Sequence, residues 1–174
     1  MVDRDVAACL DAARVSFCLI GNRALVAHGY ASRDDGVELL TVDGAVLRSL
    51  FWPDGLGAQV SLGAPNDPVI GRVRWARAPD HELIVGSTHA MVFAVDNARP
   101  LAGIGCRVAT PLGLILLALD RLGADQLHDV GTAAGPTAVE RGGQWHPRIG
   151  EHLPLLPEEG RQSWQLVLRD LDQR

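Results

Sequence analysis

The sequence contains no lysine, so that all 16 of its Lys-plus-Arg residues are arginine. Chemistry that needs a lysine amine, such as Schiff-base formation, is therefore excluded. Any contact with phosphate must come from arginine or from backbone N–H groups. The formal net charge of −5 argues against a surface that wraps nucleic acid, so charge does not point to RNA as a partner.

Cysteine is scarce, and long apolar runs are absent. Cys9, Cys18 and Cys106 are scattered and show none of the Cys/His spacings of a zinc site. No apolar run approaches the ~20 residues of a membrane span, so we expect no membrane partner. The beginning, MVDRDVAACLDAARV, is acidic and amphipathic and lacks the basic start and apolar block of a signal peptide. We therefore expect a cytoplasmic protein with reduced thiols.

Short apolar runs bounded by glycine or proline predict β-strands. The clearest are VSFCLI (15–20), VELLTV (37–42) and HELIVG (81–86). A further strand over 69–78 is expected to pair with the strand at 81–86 through a turn around Pro79-Asp80. A short strand is also expected near residues 59–62.

Helical patterns lie between these runs. The clearest is TPLGLILLALDRLG (110–123), with Thr110 as N-cap and Pro111 at the first helical position. Strands and helices together predict an α/β or α+β class, with one mixed β-sheet flanked by helices and a C-terminal helical segment. We expect one such domain over residues 1–135, with an irregular segment and a helix over 136–174 that pack on the same domain.

The stretch LIGNRALVAHGYASRDDGVELLTVD (19–43) carries the chemistry. An apolar run ends at Gly21, a helix is expected to open with Asn22 as its N-cap, and an acidic cluster then leads into the next strand. This cluster contains Asp34, Asp35 and Glu38, with Gly36 between them. A strand that ends in glycine and continues into a helix is a common setting for phosphate.

These segments resemble the nucleotidyltransferase fold, in the branch that contains AbiEii-type toxins and minimal nucleotidyltransferase (MNT) antitoxins. LIGNRALVAHG is similar to the family's strand–Gly–helix segment, and VELL to the strand that carries its acidic pair. HELIVGS is similar to the strand of the third carboxylate, and VATPLGLILLALDRLGADQLHDV to the late helix and a downstream aspartate. The resemblance covers roughly residues 15–131.

The resemblance implies a site for Mg²⁺ and for an NTP as substrate or ligand. Glu38 and Glu82 would be the catalytic carboxylates. The implied metal ligands are Asp34, Asp35, Glu38 and Glu82. The implied nucleotide-binding residues are Gly21, Asn22, Arg23 and Arg33.

The departures from the family pattern lie at positions where the family has metal ligands and a lysine. Residues i and i+2 of a strand share one face, which is why a D-x-D pair can hold two metals ~3.5–4 Å apart. Here the corresponding pair is Gly36 and Glu38, and glycine offers no ligand. Ala118 replaces the late-helix lysine. A register shift in the loop would place Asp34 or Asp35 in the vacant position.

Three functions remain open. The first is a nucleotidyltransferase-fold protein with a degenerate metal site, nucleotide-binding or weakly active, in a toxin–antitoxin-type system. The second is an active Mg²⁺-dependent nucleotidyltransferase that modifies tRNA or a partner protein. The third is a non-catalytic, antitoxin-like module that binds a protein partner. Simpler roles also stand beside these: a solvated loop for Asp34 and Asp35, and a solvated strand face for Arg72 and Arg74.

Overall fold

A computed structural model describes residues 2–30, 36–121 and 146–172. The helices are α1 Arg4–Ala12, α2 Gly21–Ala27, α3 His89–Asp96, α4 Pro111–Arg121, α5 His146–His152 and α6 Glu158–Asp172. The strands are β1 Phe17–Ile20, β2 Val37–Thr41, β3 Ala58–Leu62, β4 Val69–Trp75, β5 Ala78–Gly86, β6 Arg99–Pro100 and β7 Arg107–Val108.

The strands form one mixed sheet in the order β3-β4-β5-β2-β1-β7-β6. β1 pairs antiparallel with β2 and parallel with β7, and β2 pairs parallel with β5. The three strands expected most clearly from the sequence are therefore neighbours at the centre of the sheet. The predicted class, a mixed sheet flanked by helices, is confirmed.

Alternation along the central strands divides the core between two faces of the sheet. One face packs against α1 and the segment after β2, and its buried residues include Val6, Leu10, Leu19, Leu39, Leu83 and Val85. The other face packs against α3, α4 and α6, and its buried residues include Cys18, Leu40, Ile84, Met91, Leu116 and Trp164. Apolar residues at successive strand positions thus serve opposite faces, as expected for a sheet covered on both sides.

The turn between β4 and β5 is earlier than the sequence predicts. It lies at Ala76 and Arg77, whereas Pro79 and Asp80 belong to β5. β2 pairs with β5 only from His81 onward, so Pro79 lies beyond the end of β2. Its missing N–H is therefore not needed by that neighbour, which explains how proline is tolerated there.

Helix α4 forms as the sequence predicts and is buried. The backbone N–H of Gly113 donates to Thr110 Oγ1, so Thr110 does cap the helix. Leu112, Leu116, Leu117 and Leu119 are all buried. Ala118, which stands where the family pattern has lysine, is half-buried. The segment after α4 that carries the aspartate matching the family pattern, Asp129, lies outside the described residues.

The C-terminal helices pack on α4. Trp164 of α6 is buried in the same cluster as Leu116 and Leu119. Backbones approach closely at one point, where a Cβ on Gly160 would lie 2.2 Å from the carbonyl oxygen of Leu119. Glycine therefore permits α6 to dock directly on α4. Over the described residues, no helix combines the length and the apolar character that crossing a membrane requires.

Candidate functional site

The two carboxylates that the sequence singles out are neighbours across the sheet. Glu38 of β2 and Glu82 of β5 are register partners in a parallel pair, so both side chains belong to the same face. Arg74 of β4 is the register partner of Glu82, and Gln59 of β3 is the partner of Arg74. We call Gln59, Arg74, Glu82 and Glu38 the polar row. The prediction that the two glutamates share a face is confirmed.

Gly21 begins α2 directly beside Glu38. Its φ is +66°, and a Cβ at this position would lie 2.3 Å from Glu38 Oε2. A side chain here would thus collide with the glutamate as well as strain the backbone. Asn22 is not the N-cap as expected. The strand runs straight into the helix, so that Ile20 occupies the cap position, where its apolar side chain has no acceptor for a cap bond. The Glu38 carboxylate therefore fills the space at the helix start where the resemblance would place phosphate.

Gly36, at the vacant ligand position, has no room for a side chain. Its φ is +115°, and a Cβ would lie 2.8 Å from the backbone carbonyl oxygen of Asp80. Glycine is therefore required at this position for two reasons, conformation and space. Arg33, Asp34 and Asp35 lie outside the described residues, so the roles expected for them stay predictions.

Both oxygens of Glu82 are engaged by arginines. Arg72 Nη1 donates to Oε2 at 2.8 Å, and Arg74 Nε donates to Oε1, also at 2.8 Å. The Glu82 side chain is only 14% exposed, whereas those of Arg72 and Arg74 are 42% and 67% exposed. Sequence reasoning placed the two arginines together on one strand face but missed their common partner. The available signal was their i, i+2 spacing on the strand that pairs with β5.

A second contact, which sequence reasoning missed, joins Asp80 and His81. His81 Nδ1 lies 2.8 Å from Asp80 Oδ1. This hydrogen bond is the main cause that lowers the pKa of Asp80, and the positive charge of Arg23 contributes in the same direction. Asp80 stands two residues before Glu82 in β5 and beside Gly36. The signal in the sequence was a histidine between two acidic residues on a predicted strand.

The charges of the described part of this region balance. Its carboxylates are Glu38, Asp80 and Glu82, and its arginines are Arg23, Arg72 and Arg74. Divalent cations are held where carboxylates are in excess, whereas here the described arginines equal the described carboxylates in number, and two of them bond to Glu82. Across residues 2–30, 36–121 and 146–172, no three His, Cys, Asp or Glu side chains are grouped to hold a metal ion. The described residues therefore do not fit the two-metal site that the resemblance implies.

Three other histidines, His28, His89 and His152, make contacts between elements of the fold. His28 Nε2 lies 2.8 Å from the carbonyl oxygen of Ala109, which ties the end of α2 to the segment before α4. His89 of α3 and His152 of α5 face each other, with Nε2 and Nδ1 3.0 Å apart. The ring of Phe93 packs edge-on against His152. Burial, followed by the charge of His89, lowers the pKa of His152.

Comparison with known proteins leaves the family open. No protein-family model matches the chain, and no curated protein matches it. Among solved structures, the chain is similar to the crystal structure of ANT(2")-Ia in complex with adenylyl-2"-tobramycin, with a TM-score of 0.45 and 13% sequence identity. That similarity covers 83% of this chain and 95% of the other. Membership of the AbiEii and MNT branch, with its toxin–antitoxin role, stays a prediction.

Proposed function

We propose that the chain is a nucleotidyltransferase-fold protein with a degenerate metal site, one that binds a nucleotide and transfers it slowly or not at all. The observation that carries this proposal is the bonding of both Glu82 oxygens to Arg72 and Arg74. The sequence resemblance and the pairing of Glu38 with Glu82 support the position of the site.

Loss of the metal site follows from what metal would need here. Nucleotidyl transfer depends on metal ions that neutralise the triphosphate in the transition state. A metal at Glu82 would have to displace two charge-assisted hydrogen bonds, and Gly36 supplies no second carboxylate from β2. Of the other carboxylates that the structure describes here, Glu38 lies against Gly21 and Asp80 is bonded to His81.

Nucleotide binding is supported by the arginines. A guanidinium carries several N–H donors in a planar fork that suits phosphate. Glu82 accepts from only part of each fork, and the side chains of Arg72 and Arg74 are substantially exposed. Arg23 stands in the first turn of α2, close to Asp80. A triphosphate could thus contact arginine without a bridging metal.

Two measurements on one set of variants test the proposal. The first is a labelled-NTP transfer assay with Mg²⁺ or Mn²⁺, and the second is calorimetric titration of each NTP in the presence and absence of metal. We expect wild type and Glu82→Gln to transfer at the same background level. We also expect wild type to bind NTP in EDTA, and Arg23→Gln to bind it more weakly. Robust wild-type transfer that Glu82→Gln abolishes would show an active metal site.

One observation favours the active enzyme as a second candidate. The backbone of Asp80 lies in contact range of Gly36, so β5 carries an Asp-x-Glu pair where the family pattern places the pair on β2. In that case Asp80, rather than residue 36, would complete the acidic set with Glu38 and Glu82. The same transfer assay on Asp80→Asn separates the two candidates. Only the active enzyme predicts robust wild-type transfer that is lost in this variant.

A further inference from the structure

His81 is a buried histidine with a bond on each side of its ring. It is 6% exposed and belongs to β5, next to Glu82. Its Nε2 accepts from the backbone N–H of Asp3 at 2.9 Å, and its Nδ1 faces Asp80 Oδ1 at 2.8 Å. The ring therefore bridges the N-terminal segment of the chain and a carboxylate beside the candidate site.

These two bonds select one form of the ring. A backbone N–H can only donate, so Nε2 must carry no proton. The proton of a neutral imidazole then resides on Nδ1, where it is donated to the Asp80 carboxylate. The Asp3 N–H thus sets the tautomer that allows His81 to hold Asp80.

The Asp3 end of this bridge is part of a helix start. The Asp3 side chain caps α1 by accepting from the N–H groups of Asp5 and Val6. Val6 and Leu10 of that helix are fully buried against the sheet face opposite the polar row. Because Asp3 both caps α1 and bonds His81, the docking of α1 and the orientation of the ring are linked.

The Asp80 end of the bridge lies at the candidate site. The carbonyl oxygen of Asp80 limits the space at Gly36. The pKa of its carboxyl group is lowered mainly by the hydrogen bond from His81, and the positive charge of Arg23 adds to this effect. Asp80 itself is 58% exposed, so packing alone does not hold its side chain. The hydrogen bond from the buried ring supplies the missing constraint.

We infer that His81 is a positioning residue, which holds the Asp80 carboxylate near Arg23 at the nucleotide site and connects that site to α1 on the opposite face of the sheet. This inference rests on the proposed nucleotide binding. Linked sites of this kind commonly change each other's affinity by ~5–150-fold. Losing the bond to Asp80 should weaken NTP binding about fivefold or more.

Two substitutions of His81 separate its two bonds. The Nδ2 of Asn reaches where Nδ1 stands, so His81→Asn keeps a donor for Asp80 and loses the acceptor for Asp3. The Oε1 of Gln reaches where Nε2 stands, so His81→Gln keeps the acceptor for Asp3 and loses the donor for Asp80. We expect His81→Gln to lose NTP affinity while the Asp3 amide stays protected from hydrogen exchange. We expect His81→Asn to show the opposite pattern.

A double-mutant cycle and NMR complete the test. With Asp80→Ala in the background, His81→Gln should cause no further loss of affinity. The imidazole nitrogens of wild-type His81 should show the tautomer with the proton on Nδ1. Equal losses of affinity in the Asn and Gln variants, or the other tautomer, would overturn the positioning role and leave a purely structural histidine.

Failure of the proposed function has a different signature. If wild type binds no NTP, the nucleotide proposal fails, and the signal of the Arg23 side-chain Nε–H decides the positioning role instead. That signal should change in His81→Gln and stay as in wild type in His81→Asn. An Arg23 signal that is the same in all three proteins would overturn the inference.

Discussion

Two halves of one sheet face differ sharply although the same strands build them. Leu40 and Ile84 are register partners on β2 and β5, and both are buried beneath α3 and α4. Two residues earlier, on the same face, are the carboxylates of Glu38 and Glu82, and Glu82 bonds to Arg72 and Arg74. We call the part of this face around Leu40 and Ile84 the covered half, and the part around Glu38 and Glu82 the open half. The border between them falls within two residues of each strand.

The two halves contain different kinds of residue, so that one contributes to the stability of the fold and the other to the properties of the surface. The covered half contributes apolar burial, which is the main favourable term in folding. The open half contributes little of this, and its charges must be paired because they are partly removed from water. Changes in the covered half should therefore alter stability, whereas changes in the open half should alter what the surface binds.

The largest expected effect is a truncation in the covered half. Leu117 of α4 is buried, so Leu117→Ala should lower the free energy of unfolding by ~2–5 kcal/mol. Leu50 is 97% exposed and provides the matched control, for which Leu50→Ala should change stability by less than ~0.5 kcal/mol. Urea unfolding measures both variants. Similar losses for the two variants would show that α4 does not cover the sheet.

A smaller effect is expected at the edge of the open half. Gly36 and Gly103 both have positive φ, but only Gly36 faces a close backbone atom. Gly103→Ala should cost ~1–2 kcal/mol from the left-handed conformation alone. Gly36→Ala should cost more, because the Asp80 carbonyl must also move. Thermal and urea unfolding of the pair check this order, and equal costs would mean that the contact with Asp80 is not restrictive.

Acid should act on the covered half through His152. Its pKa is lowered in the folded protein by burial and then by His89, so the unfolded chain binds the proton more readily. The free energy of unfolding should therefore fall as the pH decreases below ~6.5, the usual value for histidine. His152→Gln should flatten this dependence, as measured by urea unfolding between pH 7 and the acid limit of folding. An unchanged slope would assign the dependence to other groups.

The smallest expected effect on stability comes from the arginines of the open half. Arg74 is largely exposed, so Arg74→Gln should change stability by only about 0–1 kcal/mol. Its effect on binding should be larger. The double variant Arg72→Gln, Arg74→Gln leaves Glu82 without its cationic partners and should bind Mn²⁺ more tightly than wild type does. Calorimetry measures this gain, and its absence would mean that the arginines are not what excludes metal.

Sequence patterns predicted the elements of the fold better than the contacts of the site. The apolar runs at 15–20, 37–42 and 81–86 became adjacent strands because only strands of that length bury so many consecutive apolar residues on both faces. Likewise, Thr110 and Pro111 begin α4 as expected. These are local rules, and they hold wherever burial and local preference agree.

The contacts of the site depend on the register of the paired strands, and no local pattern states this. The sequence predicted that β4 pairs with β5, but not the register that brings Glu82 within reach of both Arg72 and Arg74. His81 likewise bonds both its neighbour Asp80 and Asp3, and the bond to Asp3, which lies 78 residues earlier in the chain, has no local signal in the sequence. The turn at Ala76 and Arg77 was missed because proline usually ends a strand, so the turn was expected at Pro79. Pro79 instead belongs to β5, at a position beyond the end of the neighbouring strand β2.

The close contact at Gly36 also bears on how a metal ligand could be engineered at this position. An aspartate placed at position 36 meets the Asp80 carbonyl and a backbone conformation that aspartate rarely adopts. The carboxylate alone is therefore not sufficient, because the peptide at Gly36 and the strand at Asp80 must also move. A design that adds a ligand here has to change both strands together.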